Sequence, residues 1–273
     1  MPSWRAWPRF VLQGANLDVK KRLLPKTAKM NKTNGEPLAA PTRRRGRVHD
    51  EISARLRQGL MAGAFIPGQV MSLRKLAAAF GTSPMPIRDV LGQLVAANAL
   101  EGLANRSVRV PRLNRTRLKD LFEVRGMVEG LAAKKAGANA TPALISNLQA
   151  INRELKAAIS KRDTLAALAA NQRFHFALYA AAESEVLMPL IESLWLQCGP
   201  TMYCSLLAPE MPWDASAHDE VIEGLRRRNP IEVQRAVVRD IRTTGRHLQS
   251  NGAFQLPGSA ALTADFEHLL DFT

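Results

Sequence analysis

Hydrophobic positions follow a helical repeat along most of the chain from residue 48 onward. From Val48 to Leu60, apolar residues recur at the spacing of an amphipathic helix. A second apolar face, from Leu73 to Phe80, ends at Gly81, where a chain leaving a helix often needs a positive φ. A third face covers residues 87 to 94. Two short helices joined by a fixed turn predict a helix-turn-helix.

The residues around this turn predict a winged form of the motif. Pro84 and Pro86 fall in the first turn of the third helix, where backbone N–H groups have no intrahelical partner to lose. Ser83 is expected to cap that helix with its side-chain oxygen. Residues 103–111 are β-prone around a polar Asn-Arg-Ser tip, which predicts a hairpin. We therefore expect a winged helix-turn-helix over residues 48–112.

The second half of the chain reads as helix almost without interruption. Six helices are predicted, at about residues 115–138, 142–161, 163–182, 184–207, 215–228 and 230–249. Thr141 and Asp163 are expected to cap the second and third, and the fourth should bend or break near Pro189 or Gly199-Pro200. The expected fold class is mainly α, with an N-terminal winged helix-turn-helix and an all-helical C-terminal bundle at 113–250. Residues 251–273 are expected to be a C-terminal tail with a short helix at 264–270.

Charge is concentrated at the N-terminal end of this 273-residue chain, whose formal net charge is +14. Residues 1–47 carry 12 Lys and Arg against 2 acids, residues 48–112 carry 8 against 4, and residues 113–273 carry 18 against 18. This division assigns polyanion binding to the first 112 residues. Residues 1–47 are expected to be a basic flexible tail. Two interpretations of it stay open, a nonspecific DNA-contacting arm or a start-site artefact with the true N-terminus at Met30.

The cysteine content and the lengths of the apolar runs indicate the cellular compartment. Two cysteines, Cys198 and Cys204, lie in an apolar helical stretch and support neither a disulfide framework nor a cysteine zinc site. No run approaches the roughly 18 apolar residues of a spanning helix. We expect a cytoplasmic protein that does not enter the membrane.

Candidate DNA contacts lie on three neighbouring elements. A recognition helix enters the major groove by its N-terminal end, while nearby cations contact phosphates and a wing reaches the flanking backbone or minor groove. The basic residues on the two short helices and the wing are Arg74, Lys75, Arg88, Arg106 and Arg109.

These residues resemble a known family. The matching motifs are Gly63-Ala64, Pro67-Gly68, the helix from Leu73 to Phe80, Gly81-Thr82-Ser83, Pro86-Ile87-Arg88, Leu91 and Leu94. They look like the DNA-binding domain of GntR-family transcriptional regulators, and the helical half resembles the FCD ligand-binding domain of the FadR-like branch. The resemblance covers about residues 48–250. It implies a homodimer that binds a pseudo-palindromic operator on double-stranded DNA, responds to a small effector and usually represses a nearby metabolic operon.

Position by position, the resemblance supports some DNA contacts and changes others. Arg74, Arg88 and the wing tip at Arg106 match residues that the family uses on DNA, and Ser83 lies beside them. Pro84 and Met85 depart from the family pattern because neither side chain can donate a hydrogen bond to a base. Met85 can still pack on a thymine methyl group, so base readout here is expected to depend on apolar contact and DNA shape.

A second constellation consists of Asn171, His175, His218 and Asp240. Asn171 and His175 are four residues apart and share one helix face, whereas the other two lie on later helices. From the residues alone, the favoured interpretation is an exposed Asn, a core His and a surface Asp. The FCD resemblance implies a divalent metal site with Asp240 in place of the family's third histidine. This set could hold Zn²⁺, Ni²⁺ or Mn²⁺, more weakly than three histidines would.

Arg125 occupies a position where FCD proteins often point an arginine into the effector pocket. Two interpretations stay open, a bidentate contact with the effector's carboxylate or an ion pair with Glu129 four residues later. With Asn171, His175 and His218, Arg125 completes the expected effector site for a small organic acid.

Three function classes follow from these patterns. The main hypothesis is an effector-responsive transcriptional regulator, not an enzyme, and the family resemblance implies repression as the direction of control. The alternative is a metal-dependent hydrolase or lyase using His175, His218 and Asp240, which lacks a general base or nucleophile beyond the ligands themselves. An architectural DNA-binding protein whose helical half only dimerises is a third class, and it predicts a purely apolar interior around His175.

Overall fold

A computed structural model describes residues 41–104, 107–206 and 214–250, with side chains from residue 46 onward. Within these ranges the chain forms nine helices and three short strands, which confirms the mainly α fold class. The first part contains α1 Pro41–Met61, β1 Val70–Ser72, α2 Leu73–Ala79, α3 Pro84–Ala96, β2 Glu101–Leu103 and β3 Ser107–Arg109. The second contains α4 Arg115–Ala138, α5 Pro142–Ser160, α6 Thr164–Ala180, α7 Leu187–Leu206, α8 Ser216–Arg226 and α9 Pro230–Ser250.

Helix α1 begins at Pro41, seven residues before the predicted start at Val48. The expectation of a flexible tail up to residue 47 was therefore wrong for residues 41–47. Arginine favours helices and proline suits a first helical position, so the basic run extends the helix although it adds no apolar repeat. Residues 1–40, including Met30, and the tail at 251–273 lie outside the described residues.

The wing is part of a three-stranded antiparallel sheet in which β3 lies between β1 and β2. Arg109 on β3 lies opposite Val70 on one side and Glu101 on the other. The hairpin was predicted, but β1 was missed. Three residues are too few to show an alternating pattern, and their pairing partner comes from a distant part of the sequence.

Local signals located the helices of the second half closely. The side chains of Thr141 and Asp163 cap α5 and α6 by accepting hydrogen bonds from Leu144 N and Ala166 N, as predicted. The predicted break in the fourth of these helices was wrong, since helix α7 runs continuously from Leu187 to Leu206 with Pro200 inside it. Pro189 lies in its first turn, where a proline removes no intrahelical bond.

Helix α4 is the central element of the helical part. It packs along α9 and against α7, while α5 pairs with α6 and α8 pairs with α9. Helix α1 packs on both α3 and α7. At the C-terminal end of α1 the backbones of α1 and α7 touch, since a Cβ on Gly199 of α7 would overlap the carbonyl oxygen of Leu60. The buried apolar side chains form one cluster through both parts, from Ile52 to Leu248.

No helix in the described ranges is long and apolar enough to cross a membrane.

Candidate metal centre and nucleic-acid interface

The turn between α2 and α3 has the predicted conformation, with Gly81 at φ +58°. Its caps differ from the prediction. Ser83 precedes α3 but makes no capping hydrogen bond. Of the two N–H groups that such a cap can use, the one at the third helical position is absent because that residue is Pro86. Instead Ser72 caps α2, with its Oγ accepting from Lys75 N at 3.2 Å. The Ser83 side chain is exposed at the N-terminal end of α3.

Cationic side chains are exposed around this turn. Arg74 and Lys75 on α2 and Arg88 on α3 are exposed and form no ion pair with an acidic side chain among the described residues. Met85, at 64% exposure, projects beside them at the start of α3. The sequence-predicted candidates on these two helices therefore share an exposed region.

In the wing, the candidate DNA contact Arg109 is already paired with an acidic side chain. Arg109 donates two hydrogen bonds to Glu101 Oε2 across the strands, at 2.6 and 3.0 Å. Part of its charge is thus already matched by a carboxylate, although such an exposed pair is worth little in stability. Arg106, the candidate at the wing tip, lies outside the described residues.

Three helices bring together the residues of the predicted metal site. His175 lies on α6, His218 on α8 and Asp240 on α9, and each offers one ligand atom within 4.8 Å of the others. His175 Nε2 is 3.3 Å from His218 Nε2 and 3.2 Å from Asp240 Oδ2, and the third side of the triangle is 4.0 Å. The three atoms are close enough to share one cation, since bonds from zinc to such nitrogen and oxygen ligands are about 2.0–2.2 Å long.

The triangle lies at a cavity of about 200 Å³. Asn171, one turn before His175, lines the same cavity and is buried. The interior around His175 is therefore polar, which is not the apolar interior expected of a helical half that only dimerises. At the rim, Arg239 and Glu220 form an ion pair with each other.

The electrostatics of the cluster suit a cation. His218 stacks on Phe174 at 3.8 Å, and burial together with the neighbouring His175 lowers its pKa to about 3. Burial alone would raise the pKa of Asp240, but the contact with His175, whose Nε2 lies 3.2 Å from Oδ2, lowers it below its ordinary value. At neutral pH a neutral His218 and an ionised Asp240 are the protonation states that a metal ligand needs.

Arg125 and Glu129 on α4 form the ion pair that was one of the two interpretations of Arg125. Their side chains are 3% and 0% exposed, and Arg125 Nε and Nη2 donate to the two carboxylate oxygens at 2.6 and 3.2 Å. Arg125 also lines the cavity, but the bidentate face expected for an effector is occupied by Glu129. Its Nη1 is buried without a hydrogen-bond partner. Nη1 is therefore the guanidinium nitrogen that Glu129 leaves unbound.

Sequence reasoning missed the residues that complete this network. Glu129 Oε2 also accepts hydrogen bonds from Tyr179 Oη at 2.8 Å and from Trp195 Nε1 at 3.0 Å. Tyr179 Oη is in turn 3.1 Å from His175 Nδ1. The four-residue spacing of His175 and Tyr179 was a visible signal for their contact, whereas nothing in the sequence pointed from Glu129 to Trp195.

Comparison with known proteins finds matches for both halves of the chain. A family model described as "Bacterial regulatory proteins, gntR family" matches residues 49–110, and the FCD domain model matches residues 120–243. The HTH-type transcriptional regulator McbR of Escherichia coli K12 is 29% identical over 153 residues, which cover 56% of this chain and 69% of that protein.

Two further relatives are named as operon repressors. A probable D-xylose utilization operon transcriptional repressor of Paenarthrobacter nicotinovorans is 25% identical over 61% of this chain and 74% of its own length. A gluconate operon transcriptional repressor of Bacillus licheniformis is 26% identical over 41% of this chain and 46% of its own length.

Solved structures share the fold. That of E. coli McbR/YncC has a TM-score of 0.70 at 24% identity and covers 74% of this chain and 97% of its own. A putative GntR transcriptional regulator from Rhodococcus sp. RHA1 has a TM-score of 0.61 at 20% identity, with 75% and 98% covered.

Proposed function

The chain belongs to the GntR family of bacterial regulatory proteins and carries an FCD domain, and we propose that it is a dimeric repressor whose DNA binding responds to a metal-bound organic acid. As a family member it is a DNA-binding transcriptional regulator. Two relatives named as operon repressors support repression as the direction of control. The hydrolase or lyase alternative is not favoured, because the matched proteins are regulators. The observation that carries the proposal is the polar cavity where His175, His218 and Asp240 converge.

We assign operator contact to the exposed region around the α2–α3 turn. Arg74, Lys75 and Arg88 have no acidic partner among the described residues, so their charges are available to phosphates or base edges. Ser83 and Met85 lie at the end of α3 that enters a major groove in this motif. Arg109 is a weaker candidate because it must share its guanidinium with Glu101.

The assignment is tested by fluorescence anisotropy on a duplex that the protein itself selects from a random library. Arg88→Ala and Arg106→Ala should each weaken binding and lower the slope of log affinity against log salt by about one for each phosphate that is no longer neutralised. Arg153→Ala, an exposed arginine on α5, serves as the matched control. Wild-type affinity in both test variants would overturn the assignment.

We assign the metal to His175, His218 and Asp240, with the Asn171 amide oxygen as a fourth donor. Two nitrogens with oxygen donors suit Zn²⁺, Ni²⁺ or Mn²⁺. The bound ion would supply a fixed positive charge to hold an anionic effector. Calorimetric titration of EDTA-stripped protein with ZnCl₂ should give one site per chain, and His175→Ala should abolish it. The metal assignment fails if the wild-type protein binds none of the three ions at one site.

The effector assignment depends on the same cavity. Arg125 Nη1 is a buried donor without a partner, and a carboxylate oxygen is the acceptor that matches its charge. The Arg239–Glu220 pair at the rim neutralises itself, so it adds no net attraction. A thermal-shift screen of mono-, di- and tricarboxylates, with and without ZnCl₂, should identify acids that raise Tm and change operator affinity. If no acid does both, the effector assignment is wrong.

Homodimerisation is supported by an exposed apolar face on α4. Val124, Met127 and Leu131 lie on one face of that helix, with Met127 at 72% exposure. A second copy would bury this face and place two winged parts on the two halves of a pseudo-palindromic operator.

A further inference from the structure

We propose that Tyr179 is a positioning residue that holds His175 in the tautomer able to bind the metal, and that Glu129 anchors Tyr179 for this purpose. The inference rests on the proposed metal site and concerns residues outside its ligand set. It follows from the directions of the hydrogen bonds in the buried network behind His175.

Glu129 determines the first direction. Its carboxylate is fully buried and is bound by the charged guanidinium of Arg125, so both its oxygens act as acceptors. Trp195 Nε1 can only donate, and it points at Oε2 from 3.0 Å. The acceptor role of Glu129 is therefore imposed by two groups that cannot accept.

Tyr179 then has one proton and two neighbouring acceptors. Glu129 Oε2 is 2.8 Å from its hydroxyl oxygen, and His175 Nδ1 is 3.1 Å away. The closer acceptor carries a negative charge and forms the stronger hydrogen bond. The tyrosine proton therefore goes to Glu129, and the hydroxyl oxygen is left to accept from His175.

The consequence reaches the metal site on the other side of the imidazole ring. If His175 Nδ1 donates to Tyr179, a neutral His175 presents its lone pair at Nε2. That atom faces His218 Nε2 and Asp240 Oδ2, 3.3 and 3.2 Å away. Without Tyr179, an Nε2–H could instead donate to Asp240 and block the ligand position. A metal-bound histidine commonly has such a partner on its second nitrogen, and removal of that partner typically costs 10–100-fold in metal affinity.

The sharpest test compares two substitutions that each remove one donor from Glu129. Tyr179→Phe removes the acceptor of His175 Nδ1, whereas Trp195→Phe leaves that hydroxyl in place. Calorimetric titration of the full chain with ZnCl₂ should show affinity about 10–100-fold lower for Tyr179→Phe. Trp195→Phe should remain within about threefold of wild type, because Arg125 still makes Glu129 an acceptor, the Tyr179 hydroxyl stays in place, and a phenyl ring preserves the aromatic contact with His175. Circular dichroism and Tm of the stripped proteins establish that both variants fold.

A second measurement uses the wild-type protein and holds even if Tyr179→Phe does not fold. In the zinc-loaded protein, nitrogen-15 NMR of the His175 ring should show a proton on Nδ1 that exchanges slowly with water, because it is hydrogen-bonded and buried. In Tyr179→Phe the same proton should exchange faster.

The outcomes separate the positioning role from the metal assignment. Zinc binding by Tyr179→Phe at wild-type affinity, equal weakening by Trp195→Phe, or zinc on Nδ1 in the wild type would each overturn the positioning role while leaving the metal site intact. Absence of zinc binding by the wild-type protein would overturn both.

Discussion

The buried pair Arg125–Glu129 allows a quantitative test of the network that supports the cavity. Glu129→Gln keeps the shape of the side chain but removes its charge, and leaves the guanidinium of Arg125 buried without a counter-charge. Arg125→Met instead leaves the carboxylate of Glu129 buried without a counter-charge. The two side chains are 3% and 0% exposed, so solvent cannot compensate either loss.

Removing one partner of such a pair costs about 3–5 kcal/mol in unfolding free energy, because an uncompensated charge remains buried. The double variant removes both charges, so its loss should be smaller than the sum of the two single losses by about 2–3 kcal/mol. Lys119 and Glu123 provide a control on the same helix, with the same order and spacing but 62% and 59% exposure. Glu123→Gln should change stability by no more than about 0.5 kcal/mol.

Urea unfolding followed by circular dichroism and by tryptophan fluorescence measures all four variants on stripped protein. Coincidence of the two signals establishes that a single free energy describes each transition. If the two single losses add to the double loss within about 0.5 kcal/mol, or if Glu129→Gln costs no more than Glu123→Gln, the electrostatic account of the network is wrong.

Three further predictions concern packing, pH and assembly. Gly199→Ala should lower stability by at least about 2 kcal/mol in urea unfolding, because its Cβ would overlap the backbone of α1. Gly92→Ala, with open space around it, should raise stability by about 0.5–1 kcal/mol. Equal effects of the two substitutions would contradict the close contact between α7 and α1. Burial lowers the folded pKa of His218 to about 3, below an unfolded value of about 6.5. The metal-free protein should therefore lose up to about 2–3 kcal/mol of unfolding free energy as the pH falls from 6.5 to 4.5. In urea titrations at each pH, His218→Phe should remove that part of the pH dependence. Met127→Asp should convert a dimer to a monomer in light scattering after gel filtration; an unchanged mass would exclude the α4 face from the interface.

Sequence information sufficed where neighbouring residues decide the structure. The caps at Thr141 and Asp163 and the turn at Gly81 depend on a few adjacent backbone groups, so they could be read directly. Ser83 shows how such a prediction fails, because Pro86 removes one of the two N–H groups that its cap could use. The length of α1 was missed because its first turns carry charge instead of an apolar repeat.

The candidate site was only partly accessible in this way. Spacing placed Asn171 and His175 on one helix face, and resemblance to the family added His218 and Asp240. Whether these side chains meet depends on how α6, α8 and α9 pack, which is decided by apolar faces distributed over the whole helical part.

Arg125 shows most clearly what the sequence determined and what the tertiary structure decided. Its four-residue spacing from Glu129 made the ion pair visible in the sequence. Only the tertiary structure buried the pair and added Tyr179 and Trp195 from other helices, which joined it to His175. Local bonds follow from neighbours in the chain, whereas burial and the directions of hydrogen bonds in a shared core depend on groups that are brought together by folding.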